Sequence, residues 1–185
     1  MSSETPPPTD PPHPAITPIA FFGPVRSHKK PRTDQSEPVS FQAAHGTDTQ
    51  KQILLPRPPR IVVVDDDPSV PHVIEMAMRL WFKDLTFLPF TAGSEAWAEL
   101  SERAPDLLIT DDLMPSMSGE DICRRLLHGK AAYPIIVRSA LQATQNWVDK
   151  LASEGLNITF LAIPEAGELG LLRKLVEQSL RKHLA

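Results

Sequence analysis

With 185 residues the chain has room for one domain and an appendage, or at most for two very small domains. Thirteen of its twenty prolines fall in the first 59 residues, among Ser, Thr, Gln and His, and a stretch so poor in large apolar groups cannot offset its own conformational entropy. Charge divides along the same line. Residues 1–60 hold seven Lys/Arg against five Asp/Glu and residues 61–185 hold twelve against eighteen, so the folded part is acidic, lacks a basic stripe and gives no support for direct nucleic-acid binding.

Residues 1–59 are expected to form a disordered, Pro-rich arm, because runs such as Pro6-Pro7-Pro8 and Pro11-Pro12 continue neither a helix nor a central strand. Within it, Ile19-Ala20-Phe21-Phe22 and the basic cluster Arg26 to Arg32 are candidate docking motifs, although a solvated linker with scattered charge accounts for both. No basic segment followed by an uninterrupted apolar run opens the chain, and no stretch approaches the roughly 18 apolar residues of a membrane span. A cytoplasmic location without membrane contact is the expectation. The single cysteine, Cys123, has no disulfide partner and falls on the apolar side of a predicted helix, where it reads as a core residue.

From residue 60 onward the pattern becomes regular, and residues 60–185 are long enough to bury a real core. Ile61-Val62-Val63-Val64 is a continuous β-branched run, the mark of a strand buried on both faces of a parallel sheet. Residues 69–82 show helical spacing through Val70, Val73, Met76, Met78, Leu80 and Trp81, with Pro71 tolerable in the first turn. Leu85 to Phe90 predicts a second strand, and Ser94 to Arg103 a helix that Ser94 is placed to cap. Leu107-Leu108-Ile109-Thr110 predicts a third strand, stopped by an acidic pair and Pro115; Gly119 to Leu127 predicts a helix. Ile135-Ile136-Val137 predicts the fourth strand and residues 143–154 a helix that ends at Gly155. Ile158 to Ile163 predicts the fifth strand, and Glu165 to Leu184 a closing helix with Leu169, Leu172, Val176 and Leu180 along one face. Strands and helices that alternate five times over imply an α/β, doubly wound sheet.

Ligands of such sheets bind beyond the carboxyl ends of the strands, near the switch in strand order. Those ends carry Asp65, Asp66 and Asp67 after the first strand, Asp111 and Asp112 after the third, and Ser139 after the fourth. Any one aspartate there serves equally well as a turn former or helix cap. Several at one rim repel each other and must hold a proton or share a cation. A hard divalent ion such as Mg²⁺, which takes oxygen ligands and keeps room for water and a phosphate oxygen, is the natural solution.

At this point the residues resemble a known family. Ile61 to Pro68 is similar to the opening strand and acidic pair of response regulator receiver domains, and Asp111-Asp112-Leu113-Met114-Pro115 with Met117 and Gly119 resembles their phosphorylation-site signature. Pro134 to Ala140 resembles the fourth strand with its switch hydroxyl, and Phe160 to Pro164 the fifth strand with its switch aromatic and proline. The resemblance runs from about residue 60 to the C-terminus. It implies a flavodoxin-like five-stranded parallel sheet in the order 2-1-3-4-5 with five helices.

It further implies that Asp111 takes a phosphoryl group from a sensor histidine kinase or a histidine phosphotransfer protein, which is covalent carboxylate catalysis. Asp66, Asp111 and the backbone carbonyl of Leu113 would ligate Mg²⁺, and Asp65 would hold it through water. Ser139 would be the switch hydroxyl and Phe160 the switch aromatic. A stand-alone receiver of this kind is a phosphorelay signalling module and no turnover enzyme, with output through an unknown downstream protein partner.

Three departures from the family pattern bear on that reading. Receiver domains usually carry lysine immediately before the fifth-strand proline, where this chain has Ile163 before Pro164. Arg138 is the nearest cation in sequence, but adjacent strand residues face opposite sides, so an inward Ser139 implies an outward Arg138; Asp112 is expected to be solvated. Leu113 and Leu141, two beyond the phosphoacceptor and the switch hydroxyl, would not orient an attacking water, which implies a long-lived phosphoryl group. One alternative is a pseudo-receiver with the same fold and no phosphorylation. A remote one is a haloacid-dehalogenase-like phosphatase built on Asp65 and Asp67, which the order of the motifs opposes.

Overall fold

The computed structural model describes residues 52–163 and 168–185. The arm proper, with its candidate docking motifs, lies outside the described residues, as does Pro164. In chain order the elements are β1 (Arg60–Val64), α1 (Ser69–Trp81), β2 (Thr86–Phe90), α2 (Gly93–Glu102), β3 (Leu107–Asp111), α3 (Gly119–His128), β4 (Ile135–Ser139), α4 (Gln142–Ser153), β5 (Ile158–Ala162) and α5 (Glu168–His183). The five strands form one sheet in the order β2-β1-β3-β4-β5, and every neighbouring pair is parallel. This is the flavodoxin-like order. Strand order reverses between β1 and β3, which places the crevice of the sheet at their carboxyl ends.

Alternation along each strand separates two cores. Val62, Val64, Leu108, Ile135, Val137 and Ile158 pack under α2, α3 and α4, together with Ile122, Cys123 and Leu151. Ile61, Val63, Leu107, Ile109, Ile136 and Leu161 pack under α1 and α5, together with Ile74, Met78, Leu172 and Val176. β1 is buried along its whole length, as its unbroken apolar run requires. β2 carries Pro89 opposite Val63, which an edge strand accepts because its outer side makes no ladder bonds.

Four expectations are corrected. The arm was expected to reach residue 59, yet its last residues pack on the domain: Ile53 is buried, its N–H donates to the Trp81 carbonyl at 2.7 Å, and Pro59 O accepts from Thr86 N at 2.9 Å. Burying an isoleucine is worth roughly 1.5–3 kcal/mol, enough to hold a short Pro-rich strap in place. On α1 the buried side is Pro71, Ile74, Ala77, Met78 and Trp81, whereas Val73, Met76 and Leu80 face solvent. Two apolar stripes share this helix, and each satisfies the helical period. Leu169 is likewise exposed, while Leu172, Val176 and Leu180 are fully buried. Helix α2 begins at Gly93 without a side-chain cap, so Ser94 does not close it.

The capping that matters to the rim is on α3. Ser118 Oγ accepts from Asp121 N at 3.1 Å and the Asp121 carboxylate accepts from Ser118 N at 3.1 Å, two otherwise orphaned donors satisfied reciprocally. Gly119 then passes so close to β3 that an added Cβ would lie 2.1 Å from the Asp111 carbonyl oxygen. Its N–H donates to the Asp112 carbonyl at 2.9 Å. The loop after β3 is thereby pinned under the start of α3, and Gly155, at φ +102°, closes α4 as expected.

Candidate functional site

Asp65 follows β1 directly, and by alternation it continues the face of Ile61 and Val63. Asp111 ends β3 on the face of Leu107 and Ile109, the same side of the sheet. Burial pushes the carboxyl group of each above the ordinary aspartate range. Asp111 pushes Asp65 further in the same direction, and Asp66 pushes both. Opposing this, the Asp67 N–H bonds Asp65 Oδ1 at 3.1 Å, and the N–H groups of Asp112 and Leu113 favour the ionised form of Asp111. Asp111, far along the chain from the neighbouring pair Asp65 and Asp66, thus meets their charge across the switch point.

Arg138 joins them, contrary to expectation. Its Nη1 donates to Asp65 Oδ2 at 3.0 Å and its Nε donates to Glu168 Oε1 at 2.6 Å, and the residue is only 6% exposed. Alternation itself holds. The register sets Arg138 beside Asp111, on the side of Ile136, while Ser139 continues the side of Ile135 and Val137. The positive guanidinium favours the ionised forms of both Asp65 and Asp111. Glu168, in the first turn of α5, went unnoticed in the sequence, where a lone glutamate gives no signal.

The remaining expected residues divide by face. Ser139 is buried and its Oγ accepts from Leu141 N at 3.1 Å, which leaves the hydroxyl hydrogen to donate. Phe160 is half-buried against the core beneath α2, α3 and α4 and lies opposite Val137. Leu113 and Leu141 are exposed, and Ile163 is half-buried with its N–H donating to the Ser139 carbonyl at 3.1 Å. Asp112 is not solvated: it is buried and accepts from Thr144 Oγ1 and, at 3.4 Å, from Trp147 Nε1, which ties the loop after β3 to α4. Asp67 bonds Ser69 through its Oδ1, at 2.9 Å to N and 2.7 Å to Oγ, which holds its carboxyl below the ordinary range. Its carboxylate is used in the turn that opens α1. Cys123 is buried in the core, as expected.

Among the described residues, no three acidic, His or Cys side chains already stand close enough together to hold a metal ion. The donor chemistry nonetheless fits a hard divalent cation. Asp66 and Asp111 offer carboxylate oxygens at one rim, and both oxygens of Asp65 are already engaged, by Asp67 N–H and by Arg138, so Asp65 fits an outer position reached through water. No helix among the described residues is long and apolar enough to cross a membrane.

The family model of the response regulator receiver domain matches residues 61–160. The chain belongs to that family, whose members are the signalling domains of two-component systems. Among curated proteins it is 35% identical over 94 residues to the DNA-binding response regulator MtrA of Mycolicibacterium smegmatis, a match covering 51% of this chain and 40% of that protein. The chain thus spans well under two thirds of the length of that relative. Among solved structures, the signal receiver domain of a signal transduction histidine kinase from Syntrophus aciditrophicus is 26% identical with a TM-score of 0.53, over 66% of this chain and 89% of that one. The signal receiver domain of a putative LuxO repressor protein from Vibrio parahaemolyticus, at 20% identity, has a TM-score of 0.59 over 69% of this chain and 93% of that one, and supports the fold.

Proposed function

We propose that Asp111 is the phosphoacceptor of this receiver domain and that the domain signals by binding a protein partner when its rim is modified. The observation that carries the reading is the convergence of Asp65, Asp66 and Asp111 at the switch point, close enough for Asp111 to act on Asp65 and for Asp66 to act on both. The donor would be a phosphohistidine on a sensor histidine kinase or a histidine phosphotransfer protein. An Asp111 Oδ attacks phosphorus; the O–P bond forms as the P–N bond breaks, the pair stays on the imidazole nitrogen, and that nitrogen takes a proton from water. The N–H groups of Asp112 and Leu113 hold the attacking carboxylate in place.

Mg²⁺, held by Asp66, Asp111 and the Leu113 carbonyl and through water by Asp65, would neutralise charge on the transferring oxygens. Ser139 leaves β4 on the other side from Arg138, so it would reach the phosphoryl group with its hydroxyl by drawing the loop before α4 over the end of the strand toward the rim, and Phe160 would adjust behind it. Asp112 makes that loop responsive, because its bond to Thr144 links the residue after the phosphoacceptor to the first turn of α4. Apolar Leu113 and Leu141 orient no water toward phosphorus, which favours a long-lived phosphoryl group.

A pseudo-receiver is the second reading, favoured by one feature: apolar Ile163 stands where the family has lysine. Incubation with Mg²⁺ and acetyl phosphate, followed by intact mass, separates the two. One added phosphate on the wild type and none on Asp111→Asn is the expected result; no adduct on either overturns the phosphoacceptor reading and leaves the pseudo-receiver.

A further inference from the structure

Arg138 is a buried cation that no motif assigns. It is shared between two carboxylates of unequal burial: the Asp65 side chain is 9% exposed and that of Glu168 is 21% exposed. Asp111 feels the same guanidinium, and Asp66 adds negative charge beside Asp65 and Asp111, so carboxylates outnumber Arg138 at this rim among the described residues. Ile163 supplies no charge. Among the described residues, Arg138 is the cation placed beside Asp111 to meet an anion added there.

We propose that Arg138 clamps the phosphoryl group on Asp111 and, in doing so, releases Glu168, so that phosphorylation is relayed to the first turn of α5. The inference rests on Asp111 being the phosphoacceptor. An aspartyl phosphate adds roughly −2 of charge and several acceptor oxygens beside a guanidinium that already lies opposite Asp111 in the β3–β4 register. A planar fork of five N–H donors suits phosphate oxygens, and a dianion outcompetes a single carboxylate for it.

Burial decides which partner is given up. Asp65, shut in the core, has only the Asp67 N–H to fall back on and keeps its bond to Arg138. Glu168 is nearer solvent and sits in the first turn of a helix, where water and the helix dipole both accommodate a free carboxylate. The ion pairs from Nε and Nη2 to Glu168 are thus the ones that exchange. Losing them removes the tether between β4 and the start of α5.

The test combines labelling by a small phosphoramidate with Mg²⁺, read as intact mass over time, and hydrogen exchange across residues 168–175. Wild type is expected to gain one phosphate and to exchange faster in that stretch once labelled. Arg138→Met is expected to label roughly 10–100-fold more slowly, the loss that follows removal of a charge-assisted contact. Adding Ile163→Lys to it should restore most of the rate. Arg138→Lys, which keeps the charge and loses the fork, should fall between wild type and Arg138→Met, and it carries the comparison if Arg138→Met does not fold. Glu168→Gln should label readily but show fast α5 exchange from the outset, unchanged by phosphate.

Labelling of every Arg138 variant at the wild-type rate overturns the clamp, and α5 exchange indifferent to phosphate in wild type overturns the relay. Both leave the phosphoacceptor reading standing. A wild type that takes no phosphate overturns that reading, and the clamp falls with it.

Discussion

The two ends of the sheet carry charge in opposite ways. At the amino ends of the strands, the Asp106 carboxylate accepts from Arg57 at 2.7 and 2.5 Å and from Arg60 N at 2.8 Å, with His183 Nε2 3.8 Å away, and Arg60 pairs with Glu99. Burial pushes Asp106 up, but these donors outweigh it and hold the carboxyl below its ordinary value. At the carboxyl ends, Asp65 and Glu168 share Arg138 while Asp66 and Asp111 add further negative charge, and Asp65 and Asp111 are held above theirs. Neutrality at one end marks a structural clasp. An unpaid excess of negative charge at the other marks a place built to receive a cation, or to exchange partners, and perturbed carboxylates of that kind cluster at functional sites.

The sharpest way to break the contrast is Arg138→Ala. It strands Asp65 in the core without its counter-ion and is expected to cost about 3 kcal/mol, the usual loss when one member of a buried pair is removed, read as a lower urea midpoint at unchanged slope. Gly119→Ala attacks the same end through the backbone, since the new Cβ meets the Asp111 carbonyl; a loss of roughly 2 kcal/mol is expected by the same measurement.

Asp106→Asn tests the balanced end, with a drop in Tm of roughly 5 °C at pH 7, about what 1 kcal/mol produces in a domain of this size. Because the Asp106 pKa is lowered on folding, its contribution is present above about pH 4 and disappears as pH falls through the folded value, so wild type and variant should converge in acid. Asp111→Asn should do the reverse. A pKa raised on folding means that ionising Asp111 costs stability, a cost absent below about pH 4 and incurred as pH rises through the folded value. The variant is therefore expected to melt higher at pH 7, by roughly 2 °C for a partly exposed group, and to match wild type near pH 3.5.

The elements and the acidic rim were legible in the sequence because they depend on local signals: β-branched runs, turn residues, and aspartates placed directly after strands. Arg138 was misread because its direction depends on register. The pairing of Arg138 with Asp111 is a relation between strands that no spacing along one strand reveals. The buried side of α1 was ambiguous for a different reason, since Ile74, Ala77, Met78 and Trp81 obey the same period as Val73, Met76 and Leu80, and only the neighbouring sheet chooses between them. Ile53 was lost among prolines whose composition argues for a solvated chain. Glu168 and Thr144 became meaningful only once Arg138 and Asp112 were seen to reach them.

Asp112 brings one more consequence. Of the three tryptophans, Trp81 is buried beside the Ile53 strap and Trp97 lies under the Arg125 guanidinium at 5.3 Å, but the Trp147 indole N–H points at the carboxylate one residue past Asp111. The protein therefore carries its own optical probe at the rim. Any rearrangement that pulls Asp112 away alters the surroundings of a half-buried indole, so intrinsic fluorescence can follow the site without an attached dye.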